Sequence, residues 1–193
     1  MGIRLATTAD VEAAVQTLAR AFEDYPMTRV GLDPHDYLDR LTQYHRLFIT
    51  EIGLPHGRVW IAEDASAVAV WTTPSTPPDV FRSHADAFRD LAGSRAELAA
   101  EYEEAMGIFR PREPSWFLTL VGVDPDRQRQ GLGRAVITPG LAAADADHSP
   151  AFVETQEPTN LHFYESLGFT VIAELELPHR GPIHYAMYRP ATN

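Results

Sequence analysis

One short segment restricts the folds open to this chain: residues 121–134, with the sequence VGVDPDRQRQGLGR. An apolar run from Trp116 to Val123 leads into it, Asp124 and Pro125 stop that run, and an apolar-periodic run from Ala135 to Ala146 follows. This order predicts a strand, a turn, a glycine-rich loop and a helix. Amides at a helix start point outward and glycines leave them uncovered, which is typical of a site for phosphate oxygens. The segment therefore predicts a pyrophosphate-bearing ligand, with a glycine turn that only caps a helix as the alternative.

The residues around the glycines distinguish between known phosphate loops. A P-loop needs Lys and then Ser or Thr where this chain has Arg134-Ala135, and a dinucleotide fingerprint needs Gly or Ala where it has Val136. The pattern that fits is Q/R-x-x-G-x-G/A, met by Gln128, Gly131 and Gly133. This pattern resembles the acetyl-CoA loop of the GNAT acyltransferase superfamily. The resemblance implies acetyl-CoA as cosubstrate, held by residues of the strand, the loop and the helix start: Val121, Gly122, Val123, Gln128, Arg129, Gln130, Gly131, Leu132, Gly133 and Arg134.

A second motif occupies residues 160–169, with the sequence NLHFYESLGF. Pro158 ahead of it predicts a helix start, and Gly168 predicts the helix end. In GNAT enzymes the tyrosine at the position of Tyr164 points at the thioester sulfur, so the resemblance implies that Tyr164 contacts acetyl-CoA and protonates the leaving thiolate. A tyrosine with a pKa of about 10 facing a thiol with a pKa of about 8.5 is suited at least to donating a hydrogen bond to that thiolate. A core tyrosine is the alternative.

The asparagine of this motif departs from the superfamily. Most members place the asparagine that contacts CoA seven residues before the tyrosine, where this chain has Glu157. Asn160 lies four residues before it. Asn160 is therefore the candidate for that contact.

The element order predicts one α/β (α+β) domain over residues 1–193, a single GNAT fold with a mixed, mostly antiparallel central sheet flanked by helices. We expect a helix from Thr8 that Pro26 ends, and a kink or an early end at Pro139-Gly140 in the helix after the glycine loop. The other predicted elements are strands at Ile3–Ala6, Arg58–Glu63, Ala67–Thr73, Trp116–Val123, Ala151–Thr155, Thr170–Leu177 and His184–Arg189, and helices at Asp36–Ile52, Asp79–Ala92, Ser94–Phe109, Ala135–Ala146 and after Asn160.

Charge and composition exclude several classes of partner. The formal charge of −11 disfavours nucleic acid and anionic membranes and mildly favours cationic substrates. Arg127, Arg129 and Arg134 are expected to reverse that charge locally at the CoA phosphates. No apolar run approaches the ~20 residues of a membrane span and the first residues lack a signal-peptide core, so we expect a cytoplasmic protein without a membrane partner.

Two residue types restrict the chemistry. The chain has no cysteine, which removes disulfides and the usual nucleophile of a ping-pong mechanism and favours direct transfer in a ternary complex. Its eight histidines show no metal-ligand spacing such as HxxxH, so no metal is predicted.

Further segments extend the resemblance almost end to end. They are RLATTADV (4–11), AFEDYPMTR (21–29), VAVWTTP (68–74), EPSWFLTLVGVDPD (113–126), QGLGRAV (130–136) and NLHFYESLGFTV (160–171). Together they resemble the antibiotic-resistance branch of the superfamily that acetylates puromycin. The resemblance implies an acceptor of the aminonucleoside class, acetylated on its α-amine. Residues 77–110 match least and leave the acceptor open.

An α-amine places modest demands on a base, since its pKa near 8 leaves about a tenth of it neutral at pH 7. Two candidates for the proton route are equal at this stage. Tyr25 follows the first predicted helix, beside Glu23 and Asp24. Glu154 lies in a predicted strand between apolar neighbours, where a carboxylate is costly unless used or paired. The alternatives are a pocket tyrosine and a glutamate that only pairs with an arginine.

Other functions stay open. An acetyltransferase for a different small-molecule amine or a protein N-terminus fits the same motifs, as does an acyl-CoA-binding sensor without activity. Sequence does not give the acyl chain length or the oligomeric state, a homodimer among the options.

Overall fold

In the computed structural model, which describes residues 2–192, seven strands form one sheet in the order β1-β2-β3-β4-β5-β7-β6. Every neighbouring pair among these residues is antiparallel except β4 and β5, which are parallel. The predicted mixed, mostly antiparallel sheet is confirmed. The strands are β1 (Ile3–Leu5), β2 (Gly57–Ala62), β3 (Ala67–Thr72), β4 (Trp116–Val123), β5 (Ala151–Thr155), β6 (Thr170–Glu176) and β7 (Ile183–Arg189).

Helices cover both faces of the sheet. They are α1 (Val11–Phe22), α2 (Pro26–Gly31), α3 (Tyr37–Leu47), α4 (Leu54–His56), α5 (Ala85–Ala92), α6 (Ala96–Gly107), α7 (Leu132–Ala146) and α8 (Leu161–Glu165). A π-helical turn, Phe48–Gly53, joins α3 to α4. Short 3-10 turns lie at Thr8–Asp10, Arg82–His84, Gly93–Arg95, Pro125–Arg127, Pro158–Asn160 and Pro178–Arg180.

The alternation of the strands divides the core into two layers. Trp60 and Ala69 pack towards α7 and α8, whereas Val59 and Val68 pack towards α1 and the π-helical turn. Because β3 is buried along its whole length, the sheet centre is covered on both faces, as its unbroken apolar sequence indicates. This central part of the sheet supports the strand edges at which the candidate site lies.

Several predicted boundaries were wrong. Pro26 does not end the first helix: α1 ends at Phe22 and Pro26 begins α2, because the first turn of a helix loses no hydrogen bond to proline. The predicted helix Asp79–Ala92 is reduced to α5, since residues 79–84 form turns after Pro77-Pro78.

The helix after the glycine loop does not end early at Pro139. It runs through that proline as one element from Leu132 to Ala146. Next to the proline, Gly140 lies against the ring of Trp71, where a Cβ would come within 2.4 Å of Cε2. Burial of this close contact stabilises the continuous helix despite the hydrogen bond that proline removes.

Candidate active site

Strands β4 and β5 separate at the candidate site. Among the described residues they pair only through 116–118 and 151–153. Beyond this point β4 continues to Val123 and β5 to Thr155. The second half of β4 therefore presents an edge that β5 does not pair, and a gap opens between the two strands.

A β-bulge explains the separation. On the β3 side, Val70 pairs with Leu120 and Trp71 with Leu118, which leaves Thr119 as an extra residue in β4. The hydroxyl of Thr119 donates to the carbonyl of Val70 at 2.9 Å. Because a bulge bends and twists its strand, it turns β4 away from β5 at the residue where their pairing ends.

The loop after β4 leads into the first turn of α7, whose backbone amides no described side chain caps. Gly131 caps α7 with a φ of 81°, a left-handed conformation that favours glycine, and a Cβ there would meet nothing within 4 Å. At Gly133 a Cβ would make an ordinary contact of 3.6 Å with Phe163. Within residues 2–192 no side chain caps the first turn of α7. Its amides are thus free for an anionic ligand.

The arginines of this loop differ in their partners. Arg127 Nη1 lies 3.0 Å from Asp64 Oδ2, so its charge is neutralised within the protein. Arg134 donates to the Ser166 hydroxyl at 2.6 Å, and Arg129 is exposed. Neither Arg129 nor Arg134 has a carboxylate partner in the described part of the chain. These two supply the positive charge beside the open amides.

The remaining residues predicted to hold the cofactor line the same region. Val121 and Val123 pack towards α7, and Leu132 is buried beneath the loop. The amides of two glutamines brace the loop: Gln128 Nε2 donates to the Val123 carbonyl at 3.4 Å, and Gln130 Oε1 accepts from Arg127 Nε at 3.4 Å. The loop conformation thus rests on contacts internal to it.

Gly122 serves the packing of α1. Its position faces α1, where a Cβ would come within 2.9 Å of Leu18 and 3.0 Å of Ala21. The strand and the helix approach each other more closely than a side chain would allow. Any contact of Gly122 with a ligand is therefore made by its backbone.

Tyr164 is held in the core beside the gap. Its side chain is 4% exposed, and its ring centroid lies 5.3 Å from that of Phe163 and 6.0 Å from that of Phe169. Burial raises the pKa of Tyr164 above its usual value, and the nearby Tyr25 hydroxyl adds to the effect. The phenol is therefore neutral at pH 7 and available as a hydrogen-bond donor.

Asn160 and Glu157 make local contacts. Glu157 Oε1 accepts from the Thr159 hydroxyl at 3.0 Å, and Asn160 Nδ2 donates to the Thr155 hydroxyl at 3.3 Å. Thr155 in turn lies beside Tyr25. Asn160 thus joins the end of β5 and the start of α8 at the open end of the gap.

Tyr25 lies at the opposite side of the open end, just before α2. Its hydroxyl donates to Gln156 Oε1 at 3.1 Å and accepts from the Gln156 backbone amide at 2.9 Å. The Thr155 hydroxyl is 3.2 Å away. Burial raises the pKa of Tyr25, although the hydrogen bonds from Thr155 and the Gln156 amide oppose it. The structure thus brings Tyr25 to the end of β5, from which it is distant in sequence.

Glu154 is engaged by an arginine. Arg110 binds it with two hydrogen bonds, Nε to Oε1 at 2.9 Å and Nη2 to Oε2 at 3.0 Å, and also pairs with Glu103. Burial raises the pKa of Glu154, and the charge and hydrogen bonds of Arg110 oppose that rise. Burial alone would lower the pKa of Arg110, but the two carboxylates outweigh it and raise that pKa. The pair is therefore an arginine–carboxylate ion pair, with neither oxygen of Glu154 free of Arg110.

Two residues that the sequence did not suggest connect Glu154 to Tyr25. Gln156 Nε2 lies 2.7 Å from Nδ1 of the fully buried His184, and His184 Nε2 lies 3.9 Å from Glu154 Oε1. Burial lowers the pKa of His184 to about 4, so the ring is neutral. An Nδ1 that accepts from Gln156 places the ring proton on Nε2, and this buried Nε2 has no hydrogen-bond partner among residues 2–192. The available signal was a histidine in the otherwise apolar segment IHYAM.

A cavity of about 610 Å³ lies beside Gln156, the hydrogen-bond partner of Tyr25. Gln156 and Pro26 form part of its wall, and α2, α6 and the turn between β6 and β7 form the rest. A volume of this size is ordinary for a small-molecule site. Its position beyond the end of β5 makes it the candidate acceptor site.

Metal sites and membrane-spanning helices are absent from residues 2–192. No group of three or more His, Cys, Asp or Glu side chains in this range is arranged to hold a metal ion. No helix in this range has the length and apolarity to cross a membrane.

Comparison with known proteins gives a consistent result. A family profile described as "Acetyltransferase (GNAT) domain" matches residues 61–189. The fold is similar to a histone acetyltransferase HPA2 and related acetyltransferase from Corynebacterium glutamicum, with a TM-score of 0.75, 22% identity and coverage of 99% of this chain and 96% of that one.

Two further structures have the same fold. The ribosomal-protein-S18-alanine N-acetyltransferase from Escherichia coli has a TM-score of 0.58 and 18% identity over 100% of this chain and 94% of that one. The arylalkylamine N-acetyltransferase 2 from Aedes aegypti has a TM-score of 0.64 and 13% identity over 99% of both chains. At these identities the likeness concerns the fold.

Proposed function

The chain belongs to the GNAT acetyltransferase family, and we propose that it transfers the acetyl group of acetyl-CoA to the α-amine of a small molecule by direct attack in a ternary complex. One observation carries this proposal: β4 and β5 separate after Leu118 and Val153, the loop after β4 leads to an uncovered helix start, and Tyr25 is hydrogen-bonded to Gln156 just after β5. A thioester cosubstrate with a pyrophosphate matches this arrangement.

The residues present fit acetyl-CoA. The amides of the first turn of α7, the open Gly131 and the two uncommitted arginines, Arg129 and Arg134, provide for phosphate oxygens. The unpaired edge of β4 offers backbone groups to the pantetheine chain and the thioester carbonyl. When bound, acetyl-CoA supplies the activated acetyl group.

The reaction exchanges one bond for another. The amine nitrogen forms a bond to the thioester carbon, the carbon–sulfur bond breaks, and the electron pair leaves on sulfur. Tyr164 donates a hydrogen bond to this thiolate and can pass it a proton, which water then returns to the phenolate. The raised pKa of Tyr164 keeps the donor protonated up to high pH but makes full transfer uphill, so the hydrogen bond provides most of the stabilisation.

The amine N–H donates a hydrogen bond to the Tyr25 oxygen, and its proton passes to water of the acceptor cavity. Tyr25 donates to Gln156 and Gln156 donates to His184, where the hydrogen bonds of the described residues end, because Glu154 Oε1 lies 3.9 Å from His184 Nε2. Because Tyr25 donates into this chain, its oxygen is polarised as a hydrogen-bond acceptor. The two sequence candidates thus take different parts: Tyr25 accepts the N–H of the amine, and Glu154 is a positioning residue whose charge faces His184.

For the acceptor we propose puromycin or a related aminonucleoside. The support is the sequence resemblance over residues 4–11, 21–29 and 160–171, together with a hydrogen-bond acceptor suited to an amine that needs only a weak base. Acetylation of such an antibiotic on its α-amine would make expression protective in sensitive bacteria.

Release of free CoA thiol tests the proposal directly. The assay compares puromycin, other aromatic and aliphatic amines, an N-terminal peptide and no acceptor. We expect release that depends on an α-amine, with puromycin among the best. If CoA thiol is released only with another amine, the chain is still an acetyltransferase, but the proposal of puromycin as its acceptor is refuted. Binding of acetyl-CoA without release for any acceptor would instead identify a sensor.

The proton route is tested by a pH series with Tyr25→Phe and Glu154→Gln. If the hydrogen bond to Tyr25 guides the amine proton to water, the Phe variant loses most of its kcat near pH 7 and recovers as pH rises, since the amine then deprotonates itself. Glu154→Gln should lower kcat by less, and this loss should likewise shrink as pH rises. Equal loss at every pH in both variants would show that these residues only shape the pocket.

A further inference from the structure

The acceptor cavity has an unexpected charge. Among the described residues its wall contains Arg95, Arg180 and His179 and no aspartate or glutamate, in a protein with a net charge of −11. The rest of the wall is mainly apolar, from prolines, Val30, Leu98 and Ile183. The overall charge predicts a mild preference for cations, but the cavity lining has the opposite sign.

Arg95 and Arg180 are also without acidic partners. Eight of the sixteen arginines pair with carboxylates within 4 Å, but no described carboxylate lies within that distance of Arg95 or Arg180. His179 differs, because its Nε2 lies 2.7 Å from Glu101 Oε2. The cavity therefore retains the charge of two guanidinium groups.

The backbone that carries Arg180 is strained. His179 and Arg180 have φ values of 60° and 58°, and two successive non-glycine residues in this left-handed region are uncommon. The Gly181 amide holds the turn by donating to the Leu177 carbonyl at 3.0 Å, and the His179–Glu101 contact fastens it to α6. Such strain persists only where surrounding contacts impose it, and here it places Arg180 in the cavity wall.

We propose that Arg95 and Arg180 form a subsite for an anionic group, a phosphate or a carboxylate, carried by the acceptor besides its amine. Puromycin itself has no such group, so the inference narrows the proposed aminonucleoside class to members that carry a phosphate or a carboxylate. The inference rests on the proposed function, which makes this cavity the acceptor site through Tyr25 and Gln156. The amine lies at the Tyr25 end, the apolar wall holds the body of the acceptor, and the guanidinium groups bind its anion. Polycationic amines are disfavoured by the same lining.

Matched acceptors isolate the anion. Puromycin 5′-phosphate is compared with puromycin, and phenylalanyl-aspartate with phenylalanyl-asparagine amide, so that phosphate and carboxylate are tested separately. Dissociation constants are measured by calorimetry in parallel with kcat/KM. The variants are Arg95→Gln and Arg180→Gln, and the control is Arg82→Gln, an exposed arginine outside the cavity that likewise has no carboxylate partner among residues 2–192.

We expect the anionic member of at least one pair to bind about tenfold more tightly, the effect of one good charge-assisted contact. Each cavity variant should remove that preference, and the control variant Arg82→Gln should keep it. Equal binding within both pairs, or a preference that survives in both cavity variants, overturns the inference. Anion preference in binding without acetylation of any acceptor would refute the proposed function alone.

Discussion

Replacement of His45 by leucine should stabilise the protein, and more so in acid. His45 is fully buried in α3, and both of its ring nitrogens lack a hydrogen-bond partner within residues 2–192. Its ring lies 5.0 Å from that of Phe22 and 5.5 Å from that of Tyr44. Burial lowers the pKa of His45 to about 3 from 6.5. The folded protein therefore keeps this ring neutral while the unfolded chain protonates it.

The sign and size follow from proton linkage. A lowered pKa means that stability is fully present above pH 6.5 and is lost as pH falls towards 3. With these two pKa values, the loss at pH 5 is about 2 kcal/mol, against almost nothing at pH 7.5. Relief of the unpaired ring nitrogens adds about 1–3 kcal/mol at either pH. For a chain of this length, 2 kcal/mol corresponds to about 4–8 °C in Tm.

Urea unfolding of wild type and His45→Leu at pH 7.5 and pH 5 measures the effect. The difference between the two free energies of unfolding should be about 2 kcal/mol larger at pH 5. His184 titrates in both proteins and cancels. The control is His56→Leu, at an exposed position. Its difference from wild type in free energy of unfolding should not increase at pH 5. A difference between wild type and His45→Leu that is the same at both pH values would refute the burial argument.

The other predictions concern the cofactor, the leaving group and the helix packing. Acetyl-CoA should raise the Tm of wild type, and Gly131→Asp should abolish the shift by placing a carboxylate and a strained φ at the phosphate site; an undiminished shift would move that site elsewhere. Tyr164→Phe should keep acetyl-CoA binding and lower kcat by about 10²–10⁴-fold if the hydroxyl is a true acid, whereas a fall under about threefold would leave it a wall residue. Gly140→Ala should cost about 1–3 kcal/mol in urea unfolding because its Cβ meets Trp71, while Gly107→Ala, with nothing within 4 Å, should be neutral; equal stability of the two variants would show that α7 can shift.

Local signals predicted the parts of the fold that local chemistry determines. The alternation in β4, the glycines before α7 and the turn residues around β2 and β3 each specify an element within a few residues. The extent of α7 was not predictable in this way. Pro139 favours a helix end, and only the close contact of Gly140 with Trp71, a residue on another element, reverses that preference.

The candidate site divides in the same manner. The phosphate loop and Tyr164 belong to contiguous motifs, so their residues could be named from the sequence. The route from Tyr25 to Glu154 depends on Gln156 and His184, which meet across 28 positions of sequence, and Arg110 reaches Glu154 across 44. Pairings of this kind are set by strand order and register, which no single segment encodes.

A crystal structure with CoA bound tests the site most directly, through the distance from the thiol sulfur to the Tyr164 hydroxyl. We predict the pantetheine chain between β4 and β5, the pyrophosphate on the amides that follow Gly131, and the sulfur in hydrogen-bonding contact with Tyr164. A CoA that binds outside this gap, or a sulfur that lies beyond reach of Tyr164 while the phosphates sit on the loop, would contradict the account.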